Sequence, residues 1–527
     1  MFNPDDMLAA LVYPHPVGRL ELRETAISWI FLTGLFAYKV QKPVKLEFLD
    51  ASTLDRRHDL CEEELRLNRR LACDLYLDVV PLTQTPEGLR IGGHGLIVEY
   101  AVRMKQFDAS QELCNLLDRD AVEPAELGEL AALLVDFHAR APQAAREADF
   151  PHTRQLHDAV LGNLAVLLAH RDADSDMPEM GSLIDFTHDF LHDSLGRLRL
   201  REQAGFIREC HGDLHSRNIV RWRGHLVPFD CLEFDPKLRW IDVMNDIAFL
   251  VMDLIAHGRS DLAFCFLNAY LEGSGDYDGL RLLKFYGVYR ALVRAMVDSI
   301  GIERNPAQRD TLRHRLRTRL ETAAGLIGAP APTLVIMHGP AASGKSWLSE
   351  RLCVGLGAVR IRSDVERKRL FGAASDGGYL RGIYTPELSR RTYAHLRDCA
   401  ESCLLGGLHA VIDAAFLDAV ERASFLCLAE RNGCPFVIVA CSVERGEQRR
   451  RIESRRGLDP SDAGMAVLEN QLLHMQPLSA VERAHAVSAD TREAQISRTV
   501  LAAIRGVQDA YAPAAARRAV PGRTAPG

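Results

Sequence analysis

The apolar and polar positions of this chain follow two successive patterns. Early on, residues 27–32 and 35–40 are rich in β-formers and alternate weakly. Thr33-Gly34 marks a turn between them, and Gln41-Lys42-Pro43 ends the second run, so a hairpin is expected. A helix follows over 54–71, with Leu60, Leu65, Leu67 and Leu71 as its apolar positions and Glu62, Glu63 and Glu64 in a row. Residues 79–82, 89–91 and 96–102 read as further strands, completing a small mixed lobe that ends near Met104-Lys105. From 125 to 320 the period turns helical: Leu127, Leu130, Leu133, Leu134 and Phe137 form one stripe. Helices are expected over 156–169, 184–200, 247–256 and 286–300. One hairpin interrupts them, pairing 219–222 with the run Leu226, Val227, Phe229 across Arg223-Gly224.

At 325–333 the composition shifts to Gly, Ala and Pro, which reads as an interdomain linker. Residues 334–337 then form an apolar run suited to a buried parallel strand. Further strands are expected at 359–364, 410–413, 436–441 and 486–488, separated by helical stretches that begin at 347–354. That alternation predicts a doubly wound parallel sheet with ligands at the strands' C-terminal ends. The expected fold class is therefore α+β followed by α/β. The division is a first domain over 1–327, a doubly wound second domain over 328–510 and a disordered tail over 511–527, and the motifs below identify the first as bilobal and kinase-like and the second as a P-loop domain.

Chemistry concentrates first at 209–233, where His211, Asp213 and Asn218 keep the spacing of a kinase catalytic loop, His-x-Asp-x-x-x-x-Asn. The hairpin should return Asp230 beside Asn218. Moving a γ-phosphoryl group from ATP calls for Mg²⁺ on hard oxygen ligands and for a carboxylate that takes the acceptor's proton. Asn218 and Asp230 suit the metal, and Asp213 suits the hydroxyl. A strand lysine must hold the ATP phosphates; Lys39 is the better candidate and Lys42 the runner-up. His138, His157 and His188 lie singly on helices and receive no role.

The run His-Gly-Asp-Leu-His-Ser-Arg-Asn-Ile, with Phe-Asp-Cys-Leu-Glu-Phe-Asp after it, resembles the aminoglycoside phosphotransferase-like kinases. Gly there replaces the Arg of protein kinases. The resemblance is strongest over 205–260. It implies that Asp246 braces the catalytic loop and that, of the three helix glutamates, Glu64 pairs with the lysine. No Gly-x-Gly-x-x-Gly precedes the hairpin, which weakens a protein-kinase reading more than a small-molecule one.

The second chemical site opens at Gly339-Pro-Ala-Ala-Ser343-Gly344-Lys345-Ser346, the phosphate-binding loop Gly-x-x-x-x-Gly-Lys-Ser between a strand and a helix. Glycines let backbone N–H groups converge on phosphate oxygens, and the helix N-terminus adds its positive dipole end. Gly339, Ser343, Gly344 and Lys345 are the nucleotide-binding candidates, and Ser346 would hold Mg²⁺. Asp364 and Asp413 fall at the expected ligand edge, Asp413 as a metal candidate. Arg451 and Arg455, at i,i+4 on a helix, could close guanidinium groups onto a transferring phosphate. This half resembles small P-loop kinases related to polynucleotide 5′-kinases, gluconate kinases and zeta-toxin-type sugar-nucleotide kinases. The resemblance implies that Asp364 is the base for the acceptor hydroxyl. No sensor or arginine-finger segment of a hexameric AAA+ protein is evident. As a whole the chain resembles proteins described as bifunctional aminoglycoside phosphotransferase and ATP-binding proteins.

Length and composition narrow the picture. At 527 residues two or more cores are expected, and a net charge of -7 argues against bulk polyanion binding. The N-terminus lacks a basic n-region and an apolar h-region, and the best apolar run, 247–255, is short and broken by Asp253, so neither secretion nor a membrane span is expected. Twelve cysteines without a Cys-x-x-Cys pair fit reduced thiols in the cytoplasm; Cys399 and Cys403 share a helix face but lack further ligands for a metal. The expectation is a cytoplasmic enzyme with two Mg-ATP sites, each phosphorylating a small-molecule hydroxyl. Two alternatives stay open: a polynucleotide 5′-kinase in the P-loop half, though nucleic acid is not favoured, and a regulatory switch in which one half only binds nucleotide.

Overall fold

The first expected hairpin grows into a six-stranded antiparallel sheet. Its strands are β1 (Glu21–Glu24), β2 (Ser28–Leu32), β3 (Phe36–Gln41), β4 (Tyr76–Thr85), β5 (Gly88–Ile91) and β6 (Leu96–Lys105), in the order β1-β2-β3-β6-β4-β5. Helix α1 (Leu54–Ala72) starts where Thr53 caps it, the side chain accepting from Arg56 N, and packs on one sheet face. The period-2 alternation of β3 decides which side chains meet it. Ala37 joins the core with Cys61 and Leu65 of α1, whereas Tyr38 and Val40 join the core of the opposite face. Lys39, two positions from Ala37, therefore faces α1. The computed structural model describes residues 11–46, 49–86, 88–146, 151–170, 179–304, 306–372, 385–454 and 465–518.

Helices α2 (Leu113–Leu117), α3 (Pro124–Arg140), α4 (Pro151–Ala169) and α5 (Met180–Ala204) follow. The catalytic-loop segment lies between short strands. β7 (Ile207–Glu209) pairs with β10 (Trp240–Asp242), and inside that frame β8 (Ile219–Trp222) pairs with β9 (His225–Pro228). The β8–β9 hairpin matches the expected pairing across Arg223-Gly224, with Ile219 opposite Pro228. The β7–β10 pair was not foreseen, because three-residue strands carry too little periodicity. Helices α6 (Val243–Ala256), α7 (Ser260–Ser274), α8 (Leu280–Arg304) and α9 (Arg309–Ile327) complete the helical run.

The later sheet contains β11 (Leu334–His338), β12 (Ala358–Arg362), β13 (His409–Asp413), β14 (Phe436–Ser442) and β15 (Ala486–Asp490). All its pairings are parallel, and the order is β12-β13-β11-β14-β15. Its helices are α10 (Lys345–Leu356), α11 (Ser363–Phe371), α12 (Pro386–Leu405), α13 (Ala419–Arg431), α14 (Arg445–Ser454), α15 (Met465–His474), α16 (Ala480–Ala484) and α17 (Ile496–Arg518). The central strand β11 is wholly buried except at its last residue, and Val335, Met337, Leu348, Leu352 and Val439 belong to one core. The two fold classes are thus a kinase-like α+β arrangement and a doubly wound P-loop sheet.

Two compact units result. The first draws its described residues from Met1–Asp176, Ile184–His257 and Leu292–Leu316; the second draws on Met177–Leu183, Gly258–Ala291 and Arg317–Gly527. The second unit therefore recruits a helical segment from well before the expected break at 327/328. Two expectations are corrected. Asp364 does not end a strand, since β12 stops at Arg362 and Asp364 lies in the first turn of α11. The tail expected to be disordered from 511 begins inside α17, which continues to Arg518, and 519–527 lie outside the described residues. None of the twelve cysteines forms a disulfide, and no helix among the described residues is long and apolar enough to cross a membrane.

Candidate active site

In the first unit, β3 and α1 bring a lysine against a carboxylate. Lys39 Nζ lies 2.9 Å from Glu64 Oε1 and 2.7 Å from Asp230 Oδ1. Glu64 is wholly buried and Glu233 nearly so, and Gln41 Nε2 donates to Glu233 at 3.1 Å. One ammonium thus pairs with two carboxylates and lies in the field of a third, Glu233. Burial would lower the Lys39 pKa, but Asp230, Glu64 and Glu233 hold it well above its ordinary range. Burial pushes the Glu64 carboxyl up; Lys39 opposes the rise, while Glu233 and Asp230 add to it. Such a surplus of negative charge suits a divalent cation. Lys42, the runner-up, instead pairs at the surface with Glu24 at 2.6 Å. Glu62 is exposed beside His58, and Glu63 binds Arg66 and Arg239.

The candidate catalytic loop is held by backbone hydrogen bonds to buried acids. Asp242 caps α6, accepting from Met244 N, and thereby sets Asp246 in that helix's first turn. The wholly buried Asp246 carboxylate accepts from His211 N at 3.1 Å and from Gly212 N at 3.0 Å, and His138 Nε2 lies 3.2 Å from it. His138, Cys210 and Asp246 bring metal-ligand atoms within 4.8 Å, but those loop bonds already use both Asp246 oxygens. Gly212 has φ +86, and a Cβ there would meet Leu238 O at 3.0 Å. This explains why glycine stands in place of a larger residue.

Downstream, Asn218 Nδ2 donates to Asp213 Oδ2 at 2.9 Å and to Asp213 O at 3.0 Å. The side-chain Oδ1 of Asn218 is then turned away from these bonds and could serve a cation. Phe229 N donates to Asn218 O at 2.9 Å, so the hairpin returns the chain at Asp230, as expected. Asp230 sits at φ 61, with its N–H on Tyr76 Oη at 3.2 Å and the next N–H, of Cys231, on Asn68 Oδ1 at 2.8 Å. Burial opposes ionisation of Asp213, yet His215, Arg294 and His211 hold its carboxyl well below the usual range. Asn68, Gln41, Glu233, His215 and Arg294 were all missed by sequence reasoning. Asn68 stands four residues beyond Glu64, a helical repeat that could have flagged it.

In the second unit the phosphate loop is shaped by its glycines. A Cβ on Gly344 (φ +91) would meet Thr491 Oγ1 at 2.7 Å, and one on Gly339 (φ +142) would meet Cys441 O at 2.6 Å. Thr491 Oγ1 donates to Ser343 O at 2.9 Å, and Arg451 Nη1 donates to Thr491 Oγ1 at 2.9 Å and Ala342 O at 3.4 Å. Arg451 therefore buttresses the loop, with Glu447 2.9 Å from its Nε. Arg455 lies outside the described residues. Lys345 Nζ donates to Pro340 O at 2.8 Å, and Ser346 is exposed at the start of α10. The buried Ser343 Oγ has no hydrogen-bond partner among the described residues. A glycine-lined cradle, a lysine folded onto it and an unused buried hydroxyl fit a nucleotide phosphate.

Strand register aligns Arg362 with Asp413, whose Oδ2 is 3.9 Å from Arg362 Nε. Asp364 joins this group. Burial and the Asp413 charge raise its pKa, against Arg367, Lys345 and Arg362. A carboxylate with a raised pKa in the field of the phosphate-loop lysine is suited to proton abstraction.

A family model described as an AAA domain matches residues 334–478. Among solved structures, the chain is similar to a choline/ethanolamine kinase family protein from Mesorhizobium loti at 14% identity, with a TM-score of 0.38 and coverage of 60% of this chain and 90% of that one. It is also similar to a gluconokinase from Sinorhizobium meliloti at 19% identity, with a TM-score of 0.27 and coverage of 34% and 97%. The uncharacterised protein Rv2004c of Mycobacterium tuberculosis is 30% identical over 457 residues, spanning 84% of this chain and 88% of that protein. The chain belongs to the same family as that mycobacterial protein, and it joins a unit built on a six-stranded antiparallel sheet to a P-loop domain.

Proposed function

We propose that the protein is a phosphotransferase with two Mg-ATP sites, each serving a small-molecule hydroxyl. The observation that carries the reading is the buried Lys39, held between Glu64 and Asp230 at 2.9 and 2.7 Å beside the Asp213–Asn218 pair. Lys39 holds phosphate oxygens, Asn218 and Asp230 are the oxygens for Mg²⁺, and Asp213 accepts the proton of the acceptor hydroxyl. Bound Mg-ATP supplies the phosphoryl group and the cation that neutralises its charge. In the second unit Gly339, Ser343, Gly344 and Lys345 cradle phosphates, Ser346 and Asp413 hold Mg²⁺, Asp364 takes the acceptor proton, and Arg451 stiffens the loop. Free cysteines fit a reducing cytoplasm. Calorimetry tests the two-site reading: the intact protein should bind two Mg-nucleotides, Lys345→Ala one, and Lys39→Ala the other. A stoichiometry of one for the intact protein refutes it.

A further inference from the structure

The acceptor side of Asp213 carries an unusual cation. Arg294, on α8 within the first unit, is half-buried, and its Nη1 lies 3.1 Å from His215 Nε2. The same Nε2 lies 3.3 Å from Asp213 Oδ2. At the other ring nitrogen, Arg217 N donates to His215 Nδ1 at 3.2 Å. A backbone N–H can only donate, so Nδ1 is the acceptor, and the proton of a neutral ring then belongs on Nε2. That proton goes to the Asp213 carboxylate. Arginine also only donates, so Arg294 meets His215 donor to donor and gains no acceptor from it. Among the described residues no carboxylate forms an ion pair with Arg294. Its charge acts on Asp213 as one of the groups that keep that carboxylate ionised.

A half-buried guanidinium without an anion of its own is costly to keep. Its planar fork matches a carboxylate or phosphate through two parallel hydrogen bonds. We infer that the acceptor of the first unit carries such an anionic group, bound by Arg294, a few bonds from the hydroxyl that Asp213 deprotonates. The two contacts share Nε2, which limits the span from guanidinium to catalytic carboxylate. An amino sugar would instead bring a cation against Arg294 and His215. This inference rests on the phosphotransferase reading of the same site.

The test uses full-length protein carrying Lys345→Ala, so that transfer reports the first unit. A polar metabolite extract is separated on an anion-exchange resin into retained and flow-through pools, and transfer from radiolabelled ATP is measured into each. Transfer into the retained pool alone is expected; transfer confined to, or as fast with, the flow-through pool overturns the inference. With the acceptor found in the retained pool, Arg294→Ala should raise its KM roughly ten- to hundred-fold. Mg-ATP affinity should be unchanged, and Arg294→Lys should recover part of the loss. An unchanged KM, or an equal loss of nucleotide affinity, overturns it as well. Absence of transfer into both pools, together with no Mg-nucleotide binding that depends on Lys39, refutes the phosphotransferase reading itself and removes the acceptor class with it.

Discussion

Replacing Asp213 by Asn separates charge from shape at the catalytic loop. The amide oxygen can take over the contacts from Asn218 Nδ2 at 2.9 Å and His215 Nε2 at 3.3 Å, so the loop keeps its form. What is lost is the group proposed to accept the hydroxyl proton. General-base loss costs roughly 10²–10⁴-fold in rate, or about 3–5 kcal/mol of transition-state stabilisation. The Asp213 side chain is 32% exposed, so solvent screens its charge and the melting temperature should barely change. His215, Arg294 and His211 hold the folded pKa below the unfolded value of about 3.9, against the effect of burial. The carboxylate therefore contributes its stability above that unfolded value and loses it only as pH falls through the lower folded value. Wild-type transfer should accordingly show no fall from protonation of this base between about pH 7 and pH 5. The assay is single-turnover transfer in the Lys345→Ala background, with calorimetry of Mg-ATP binding alongside. A rate loss below tenfold, or a parallel loss of ATP affinity, would refute the assignment of Asp213 as base.

Gly344→Ala should collapse the second nucleotide site, because the new Cβ falls 2.7 Å from Thr491 Oγ1 at a left-handed φ; calorimetry should lose one nucleotide per chain, and retention of both would contradict the tight-cradle argument. Asn268→Ala should destabilise the second unit by about 2–4 kcal/mol, since it strands a buried C=O and a part-buried N–H of β12, and a thermal melt showing no shift would refute that role.

The candidate site was legible in sequence wherever it is local. Asp213 and Asn218 belong to one short loop, and the phosphate loop is a contiguous motif, so spacing alone exposed them. Lys39 was the better of two candidates because it falls within a predicted strand, and the alternation of β3 turns it toward α1. Residues supplied by distant elements were not legible. Asn68 supports the backbone after Asp230 from a helix 163 positions away, and Arg294 comes from a helix whose pattern reads as ordinary core. The leucines of α1 pointed to a face containing Leu60 and Leu71, yet both are only half-buried, while Arg57, Glu64 and Asn68 are buried. Partners explain the reversal: Arg57 binds Glu99, Glu64 meets Lys39, and Asn68 holds Cys231 N. Hydrophobic periodicity does not register a polar residue whose burial is made affordable by a partner on another strand.

The linker at 325–333 has the composition of a domain break, but the second unit does not begin there. Its edge strand explains why. β12 ends the parallel sheet, and its outer backbone groups would otherwise remain open to another strand. Asn268 of α7 closes them: Nδ2 donates to Ala358 O at 2.9 Å, and Oδ1 accepts from Arg360 N at 2.7 Å. Glu272, one turn on, binds Arg360 at 2.8 Å and Arg362 at 3.3 Å. Arg362 in turn approaches Asp413 and opposes the raised pKa of Asp364. The helix that seals the sheet edge thus also steadies an arginine beside the proposed acceptor-side carboxylate. A fragment cut at 328 would retain the phosphate loop and lose this support. The boundary relevant to the chemistry of the second unit therefore lies upstream of α7, in a part of the chain whose helical pattern gives no sign of it.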